Sequence, residues 1–275
     1  MADSITLSAA SRANLLSLQS TTTLIGKTQQ RLSTGLKVAS ALDDASAYFT
    51  AKSLTNRASD LSAIKNQIDQ AVSTVQNAVQ AIDSATAIIN QIQGIAQSAK
   101  SATTATDRST LGNQAELLAV QLNNLINDAS YNGVNLLKAT PDNLQVNFNE
   151  DATIELTIAG TALTASNLGA DISTVSNHWG TVGDINADIN EYASALGQLR
   201  TASQTFGSNA TLLQTRLDFT TTLVNTLQTG SDKLTLADLN QEGANLLALQ
   251  TRQQLGINAL SLASQSQSAI LSLFR

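Results

Sequence analysis

The sequence has no cysteine, one proline and few aromatic residues, and each shortage excludes a class of structure. Without cysteine, the chain forms no disulfide and offers neither a thiolate to a metal nor a thiol nucleophile. Because Pro141 is its one proline, almost nothing interrupts helices. Aromatic residues make up 3% of the 275 residues, so the large side chains that fill a compact globular core are scarce. Long, thin helices with narrow seams of alanine and leucine suit this composition better.

Charge and long apolar runs are also in short supply. Charged residues make up 13% of the chain and the net charge is −6, which argues against a nucleic-acid partner or an anionic membrane surface, since both need a basic patch. No run of 18 apolar residues occurs, so we expect no membrane insertion. No basic region followed by an apolar block opens the sequence, so we expect no cleavable secretory signal. The protein is then predicted to be cytosolic or to leave the cell by a route that reads no such signal.

Residues 61–99 carry the strongest apolar spacing in the sequence. Every position taken alternately three and four residues apart is apolar: Leu61, Ile64, Ile68, Ala71, Val75, Ala78, Ile82, Ala85, Ile89, Ile92, Ala96 and Ala99. At a rise of 1.5 Å per residue, such a helix would be about 60 Å long. This length and spacing predict a coiled-coil-like seam.

Two further stretches continue the helical spacing after a break at residues 103–107. The second stretch reads Leu111, Ala115, Leu118, Leu122, Leu125 and Ala129, and the third runs from Ile185 to Leu227 with Gly230 as a predicted C-terminal cap. Three seams of this kind can close on one another as an antiparallel bundle. The sequence therefore predicts a mainly α fold, a long coiled-coil-like antiparallel helical bundle.

The only β-like region lies between the second and third helical stretches. Leu144, Val146 and Phe148 alternate with polar residues, and Ile154, Leu156 and Ile158 alternate again after a turn at residues 149–151. This pattern predicts a small β-hairpin. Residues 160–183, rich in Gly, Thr, Ser and Asn, are predicted to form a surface loop.

Gly35 is predicted to end the first helix, with residues 37–44 as a linker to the bundle. Ser40 and Asp43 offer N-caps just after it. The alternative is a glycine tolerated inside one continuous helix at a cost of about 1 kcal/mol.

The two ends of the chain carry matching apolar stripes. The stripe residues are Leu15, Leu18, Ile25 and Leu32 near the N-terminus, and Leu246, Leu249, Leu260, Ile270 and Phe274 near the C-terminus. Pairing the two end helices covers one stripe on each, but Leu16, Leu24, Leu247, Ile257 and Leu271 lie beside the stripes and stay uncovered. Identical copies of the chain could cover them, and contacts of this kind that do not close into a ring produce a filament.

Candidate catalytic residues are few. Asp43 and Asp44 suggest a helix start, where carboxylates are favoured, more than a shared metal. His178 and Trp179 lie in a segment without a plausible catalytic partner, and the glycines there lack phosphate-loop spacing. We therefore expect no enzyme activity and no catalytic, cofactor or metal site. A helical signalling module would carry charged residues beside its seams, where this chain has Ser, Asn, Gln and Thr.

Two stretches resemble the terminal signatures of bacterial flagellins. Residues 29–54 contain RLSTG followed by SALDDA, and residues 237–275 contain QQLG leading to a final SLFR. The resemblance covers about residues 5–137 and 184–275, and the ending is similar to that of alphaproteobacterial flagellins. It implies a terminal coiled-coil domain of residues 1–42 and 235–275, and a helical bundle domain of residues 43–234. The insertion at about 138–183 is too short for large outer domains.

The resemblance also implies a function and partners. The chain would be a subunit that polymerises into the flagellar filament for motility, with the hook–filament junction protein as the alternative. Flagellins leave through type III export without a cleaved signal peptide. Its partners would be other copies of itself, flagellin paralogues, the cap and hook-associated proteins and an export chaperone.

Two candidate surface sites follow from the resemblance alone. Many flagellins are sensed by a toll-like receptor through a motif of Arg, Arg-Glu and Leu, whose positions match Gln91, Gln93, Gly94 and Ile95, with Glu116 on the next helix. Because the charged centre is missing, we expect a poor receptor agonist. Possible O-glycosylation sites are Thr161, Thr164 and Ser166, which we expect to be exposed.

Overall fold

The structure is a computed structural model that describes residues 9–168 and 172–273. Its helices are α1 (Ala9–Thr34), α2 (Ala45–Ser101), α3 (Ala105–Asp128), α4 (Val182–Thr235) and α5 (Leu239–Leu273), and its strands are β1 (Leu144–Asn147) and β2 (Glu155–Ile158). A short turn of helix spans Ser176–Trp179. The prediction of a mainly α chain with one small hairpin is confirmed.

The chain divides into two compact units. Unit 1 comprises residues 1–56 and 226–275, and unit 2 comprises residues 57–225. Helices α2 and α4 contribute residues to both units. The domain boundaries expected at residues 42 and 235 remain a prediction.

The core of unit 2 follows the predicted seams closely. All twelve seam positions from Leu61 to Ala99 are buried, so this prediction is confirmed. On α4, five residues at seven-residue intervals are almost fully buried: Ile185, Tyr192, Leu199, Phe206 and Leu213. Alternation of alanine with larger side chains keeps the seam narrow, as in coiled coils.

The buried stripe of α3 differs from the predicted one. The buried residues are Gly112, Ala115, Ala119, Leu122 and Ile126, whereas Leu111, Leu118 and Leu125 are only half-buried. Gly112 explains the shift, because a Cβ there would lie 3.1 Å from Val175 and 3.6 Å from the Trp179 ring. Gly112, which has no side chain to add to an apolar stripe, thus lets α3 pack closely against Val175 and Trp179.

Gly230 does not end α4, which continues to Thr235. A Cβ at Gly230 would lie 3.4 Å from the side chain of Leu54, and the next residue, Ser231, shares a 2.9 Å hydrogen bond with Thr55. The predicted cap was therefore wrong, because this glycine lies where α4 packs closely on α2.

The predicted end of α1 at Gly35 is confirmed. Gly35 has a φ of +71°, in the left-handed region that favours glycine, and its N–H donates to the Arg31 carbonyl. The N-cap of α2 is Asp44, which accepts the N–H of Ala47 at 3.0 Å, rather than Ser40 or Asp43. Asp43 instead closes a turn within the linker.

The hairpin forms as predicted, and the segment after it does not. β1 and β2 pair antiparallel with Val146 opposite Leu156. Residues 160–183, expected to be a surface loop, contribute several buried side chains to unit 2: Leu163, Ala165, Leu168, Ile172, Val175 and Trp179. From Ala165 to Trp179 these residues are spaced alternately three and four positions apart, but the Gly, Ser, Thr and Asn residues between them favoured a loop, so the sequence analysis did not predict their burial.

Trp179, which lies in the segment expected to form a surface loop, is fully buried. Its indole N–H donates to buried Asp188 at 2.7 Å, and Asp188 also accepts the backbone N–H and the hydroxyl of Ser176. The Arg108 guanidinium donates to the carbonyls of Trp179 and Gly180. We call Arg108, Ser176, Trp179 and Asp188 the Trp179 clasp.

Candidate assembly surface

α1 and α5 pack against each other in antiparallel directions. Three pairs along the two helices show this: Arg31 with Glu242, Thr22 with Gln253, and Leu18 with Gly256. As residue numbers fall along α1, those of the partners rise along α5. The predicted pairing of the two end helices is confirmed over the described residues.

A short backbone junction starts this helix pair. Leu36 and Leu236 form an isolated antiparallel bridge, the Ala237 N–H donates to the Gly35 carbonyl at 2.9 Å, and the Lys37 N–H donates to the Thr235 carbonyl at 2.8 Å. The left-handed turn at Gly35 permits this approach, because it sends the chain away from the axis of α1. These hydrogen bonds hold the end of α1 beside the start of α5.

The seam between α1 and α5 is thin. Ile25 is the one stripe residue buried on the described part of either helix, while Leu18, Leu32, Leu246, Leu249 and Leu260 are half-buried and Leu15 is 49% exposed. A Cβ on Gly256 would lie 3.1 Å from Leu18 Cγ, so glycine allows the closest approach here. Two helices alone cannot bury these stripes fully.

Large apolar side chains beside the seam are exposed to solvent. They are Leu15, Leu16, Leu24, Leu239, Leu247, Leu255, Ile257 and Leu262, with exposures between 44% and 69%. We call these eight residues the apolar face. Leu16, Leu24, Leu247 and Ile257 are uncovered as the spacing predicted. The side chains of Ile270 and Leu271 and the whole of Phe274 lie outside the described residues.

The linker adds exposed apolar residues that the sequence reasoning missed. Leu42 is 99% exposed, and Phe49, at the start of α2, is 64% exposed with its ring edge-on to Tyr48 at 5.5 Å. Neither residue belongs to a periodic stripe, so spacing gave no signal for them. Their unusual exposure for large apolar side chains is the signal that only the structure supplies.

A half-buried ion pair crosses the seam near the junction. Arg31 Nη1 lies 3.0 Å from Glu242 Oε1, and the two side chains are 31% and 10% exposed. Arg31 Nε is buried without a hydrogen-bond partner among the residues that the structure describes. A groove of about 350 Å³ opens beside the pair, lined also by Leu24, Thr28, Asn245, Ala248, Leu249 and Arg252. The seam is therefore open to solvent beside its charged contact.

Charge on the linker is arranged by hydrogen bonds. The Asp43 carboxylate accepts the N–H groups of Ala39 and Ser40 at 3.2 Å, and Lys27 Nζ lies 3.4 Å away. These donors, the Ala39 N–H foremost, hold the pKa of Asp43 below its ordinary value. Ionised Asp43 thus connects α1 to the linker that follows it.

The positions of the expected receptor motif lie on unit 2. Gln91 and Gly94 are exposed on α2, whereas Gln93 and Ile95 are half-buried. Glu116 on α3 accepts the Val175 N–H at 3.1 Å, so its carboxylate is already engaged. Only part of this expected surface is therefore free to contact a partner.

The expected glycosylation residues have different surroundings. Thr161 and Ser166 are exposed, but Thr164 is 6% exposed and its hydroxyl is hydrogen-bonded to Asn167. The expected exposure of Thr164 was wrong, because the turn at residues 164–167 folds its side chain inward. Thr161 and Ser166 remain candidates.

Over residues 9–168 and 172–273, no group of three or more His, Asp or Glu side chains could hold a metal ion. None of the helices in that part of the chain has a stretch long and apolar enough to cross a membrane.

Comparison with known proteins places the sequence among named relatives. Residues 5–142 match the model of the bacterial flagellin N-terminal helical region. The chain is 32% identical over 263 residues to flagellin FljO of Caulobacter vibrioides, covering 95% of this chain and 94% of that protein. It is 31% identical over 283 residues to a flagellin of Brucella melitensis, covering all of both chains. The crystal structure of Bacillus cereus flagellin aligns with a TM-score of 0.48 and 16% identity over 56% of this chain and 88% of that one.

Proposed function

Because the chain belongs to the bacterial flagellin family and is a structural subunit of the flagellar filament, we propose that the apolar face of α1 and α5 carries its contacts with other copies. The observation behind this proposal is that eight large apolar side chains of one helix pair are exposed. Extensive exposed apolar surface on a soluble protein marks an interaction site.

Self-association explains this surface better than an unrelated partner does. The family forms a homopolymer, so neighbouring copies present the same apolar residues at high local concentration. Contacts between different patches on identical subunits propagate when the rotation does not close, and the product is a helical filament. The family match supports the filament subunit over the hook–filament junction protein, because the matched family model and the relatives named above are flagellins.

The remaining expectations about partners and export belong to the same proposal. Flagellin paralogues would enter the filament through the same apolar face, and the cap and hook-associated proteins would contact it at the filament ends. An export chaperone would shield the face before assembly, and the chain would leave by type III export without cleavage of a signal peptide. The family resemblance supports each of these steps.

A matched pair of isoleucine substitutions tests the apolar face. Ile257 on α5 is 50% exposed, and Ile154 beside the hairpin turn is 53% exposed. Burying the exposed half of an isoleucine side chain is worth about 1 kcal/mol, and a buried glutamine adds a desolvation cost. Ile257→Gln should therefore raise the critical concentration for polymerisation roughly five- to tenfold, as measured by sedimentation of filaments.

Ile154→Gln is the control, because it changes the same side chain at similar exposure outside the apolar face. We expect its critical concentration to stay within about twofold of the wild type. Equal critical concentrations for the two variants would show that the apolar face does not carry the contacts.

A further inference from the structure

We propose that the groove beside the Arg31–Glu242 ion pair receives a carboxylate from a neighbouring copy of the chain when the filament assembles. This inference rests on the proposed function of the apolar face, and it adds a charged contact to that otherwise apolar interface. Its basis is that the groove contains more hydrogen-bond donors than acceptors.

Two guanidinium groups and one carboxylate line the groove. Glu242 Oε1 is engaged by Arg31 Nη1 at 3.0 Å. Over the described ranges, Arg31 Nε is buried without an acceptor and Arg252 forms no ion pair. The groove therefore has one positive charge in excess, and it belongs to guanidinium groups, whose planar arrangement of donors matches the two oxygens of a carboxylate.

Thr28 adds a hydroxyl without a partner to the same groove. This residue is 7% exposed and lines the groove beside Arg31. A threonine hydroxyl within a helix can donate to the carbonyl four residues earlier, and the other four threonines of α1 do so: Thr21, Thr22, Thr23 and Thr34. The Thr28 hydroxyl makes no hydrogen bond with any residue that the structure describes. A nearly buried polar group of this kind is unfavourable unless an acceptor approaches it.

The two helices do not supply the missing acceptor themselves. Glu242 is the one acidic residue in the sequences of α1 and α5, and its carboxylate already faces Arg31. In a free subunit, water can enter the open groove and accept from these donors. The excess of donors therefore becomes unfavourable only where water is displaced.

Assembly would displace this water, because the groove adjoins the apolar face. Leu24 belongs to the apolar face and also lines the groove. A copy that covers Leu24 therefore covers the groove, and the donors of Arg31, Thr28 and Arg252 lose their water. Leaving them unpaired would cost binding free energy, so the covering copy must supply an acceptor. With 21 Asp and Glu residues against 15 Lys and Arg residues, each copy presents an excess of carboxylates.

Cross-linking in assembled filaments tests for that carboxylate. Arg252→Lys keeps the charge and places a primary amine in the groove. A carbodiimide activates a nearby carboxylate, the amine attacks it, and an amide forms while the carbodiimide leaves as a urea. Filaments grown from equal amounts of isotope-labelled and unlabelled Arg252→Lys subunits should give amide cross-links at position 252 that join a labelled peptide to an unlabelled one. Mass spectrometry then identifies the carboxylate of the neighbouring copy.

Critical concentrations for polymerisation measure how much this contact contributes. Arg252→Gln removes the charge and should raise the critical concentration at least tenfold, whereas Arg252→Lys should stay within about threefold of the wild type. The control is Arg200→Gln, which removes an exposed arginine of α4 outside the groove and should change the value by less than about twofold. Fluorescence of Trp179, the single tryptophan, would confirm in each variant that unit 2 stays folded.

Two outcomes would overturn the inference. Cross-links at position 252 that are absent, or that join only peptides of one chain, would show that no neighbouring carboxylate enters the groove. Equal critical concentrations for Arg252→Gln and Arg200→Gln would show that the contact does not support assembly. If Ile257→Gln still raises the critical concentration, only this inference fails. If Ile257→Gln has no effect either, the proposed function of the apolar face fails with it.

Discussion

At the scale of single residues, Asp43 shows how one carboxylate organises the linker between α1 and α2. Its ionised form accepts two backbone N–H groups and faces Lys27, and these donors lower its pKa. A depressed pKa in the folded state means that the stabilisation is present above the unfolded-state pKa and is lost as pH falls through the folded-state pKa. The linker turn should therefore loosen only in acid.

A titration of the linker tests this role of Asp43. The NMR amide resonances of Ala39 and Ser40 should shift with a midpoint below 3.8, the ordinary pKa of an aspartate. Asp43→Asn should remove that transition, because the amide does not ionise. Asp44→Asn, which leaves Asp43 in place, should retain it. A midpoint at or above the ordinary value would contradict the structural assignment.

At the scale of elements, the Trp179 clasp holds a turn that most side chains disfavour. Asn177, His178 and Trp179 have φ values of 47°, 47° and 55°, which cost about 1–2 kcal/mol each for residues other than glycine. Burial of the indole and its bond to Asp188 offset this strain. The clasp therefore determines where the segment before α4 packs.

Substitution of Trp179 measures the contribution of the clasp. Trp179→Phe removes the indole N–H and leaves one oxygen of buried Asp188 with fewer donors, so we expect unit 2 to lose about 2–3 kcal/mol of unfolding free energy. Urea unfolding followed by circular dichroism gives the value. The exposed neighbour is the control: His178→Phe should change the unfolding free energy by less than about 0.5 kcal/mol. Similar losses in both variants would show that general packing, rather than the bond to Asp188, holds the turn.

The start of α4 is also stabilised by side-chain hydrogen bonds. Thr181 and Asp184 exchange hydrogen bonds in the manner of a capping box, and the Thr181 hydroxyl, with its N–H, lowers the pKa of Asp184. Deeper in α4, burial raises the pKa of the Tyr192 phenol. Hydrogen bonds between neighbouring residues thus fix where α4 begins, whereas packing against distant residues determines its position in the core.

At the scale of the whole molecule, the family resemblance predicts a surface that innate receptors recognise poorly. Two exposed positions of the expected motif are Gln91 and Gly94, and the carboxylate of Glu116 is engaged by the Val175 N–H. Charged groups that such a receptor would use are therefore absent from α2. Binding energy at interfaces is concentrated in few residues, so their loss should weaken recognition strongly.

Restoring the charges tests this prediction. The wild-type monomer should be a weak agonist in reporter cells that carry the toll-like receptor, and Gln91→Arg with Gln93→Arg and Gly94→Glu should increase potency at least tenfold. The control variant, Gln76→Arg with Gln80→Glu, places charges on exposed positions of the same helix outside the motif and should have no effect. Strong activation by the wild-type monomer would overturn the prediction.

Periodicity alone determined the helices, the pairing of the chain ends and the position of the hairpin. The seam from Leu61 to Ala99 and the exposed Leu16 and Leu247 were predictable, because apolar spacing along a helix depends only on residues a few positions apart. The family was evident for a similar reason, since its signatures are continuous stretches of sequence.

The tertiary structure decided which glycines pack and which loops are buried. Gly230 was predicted as a helix cap and Gly112 was not part of the predicted stripe, yet each lies against a side chain from a distant part of the sequence. Thr164 and Trp179 were expected in an exposed loop and are buried, Thr164 in a local turn and Trp179 beside Gly112 and Arg108 of α3. The choice of Glu242 as the partner of Arg31 is of the same kind. The burial of a side chain and the choice of its ion-pair partner depend on residues that only folding brings together. The spacing of residues along the sequence does not predict them.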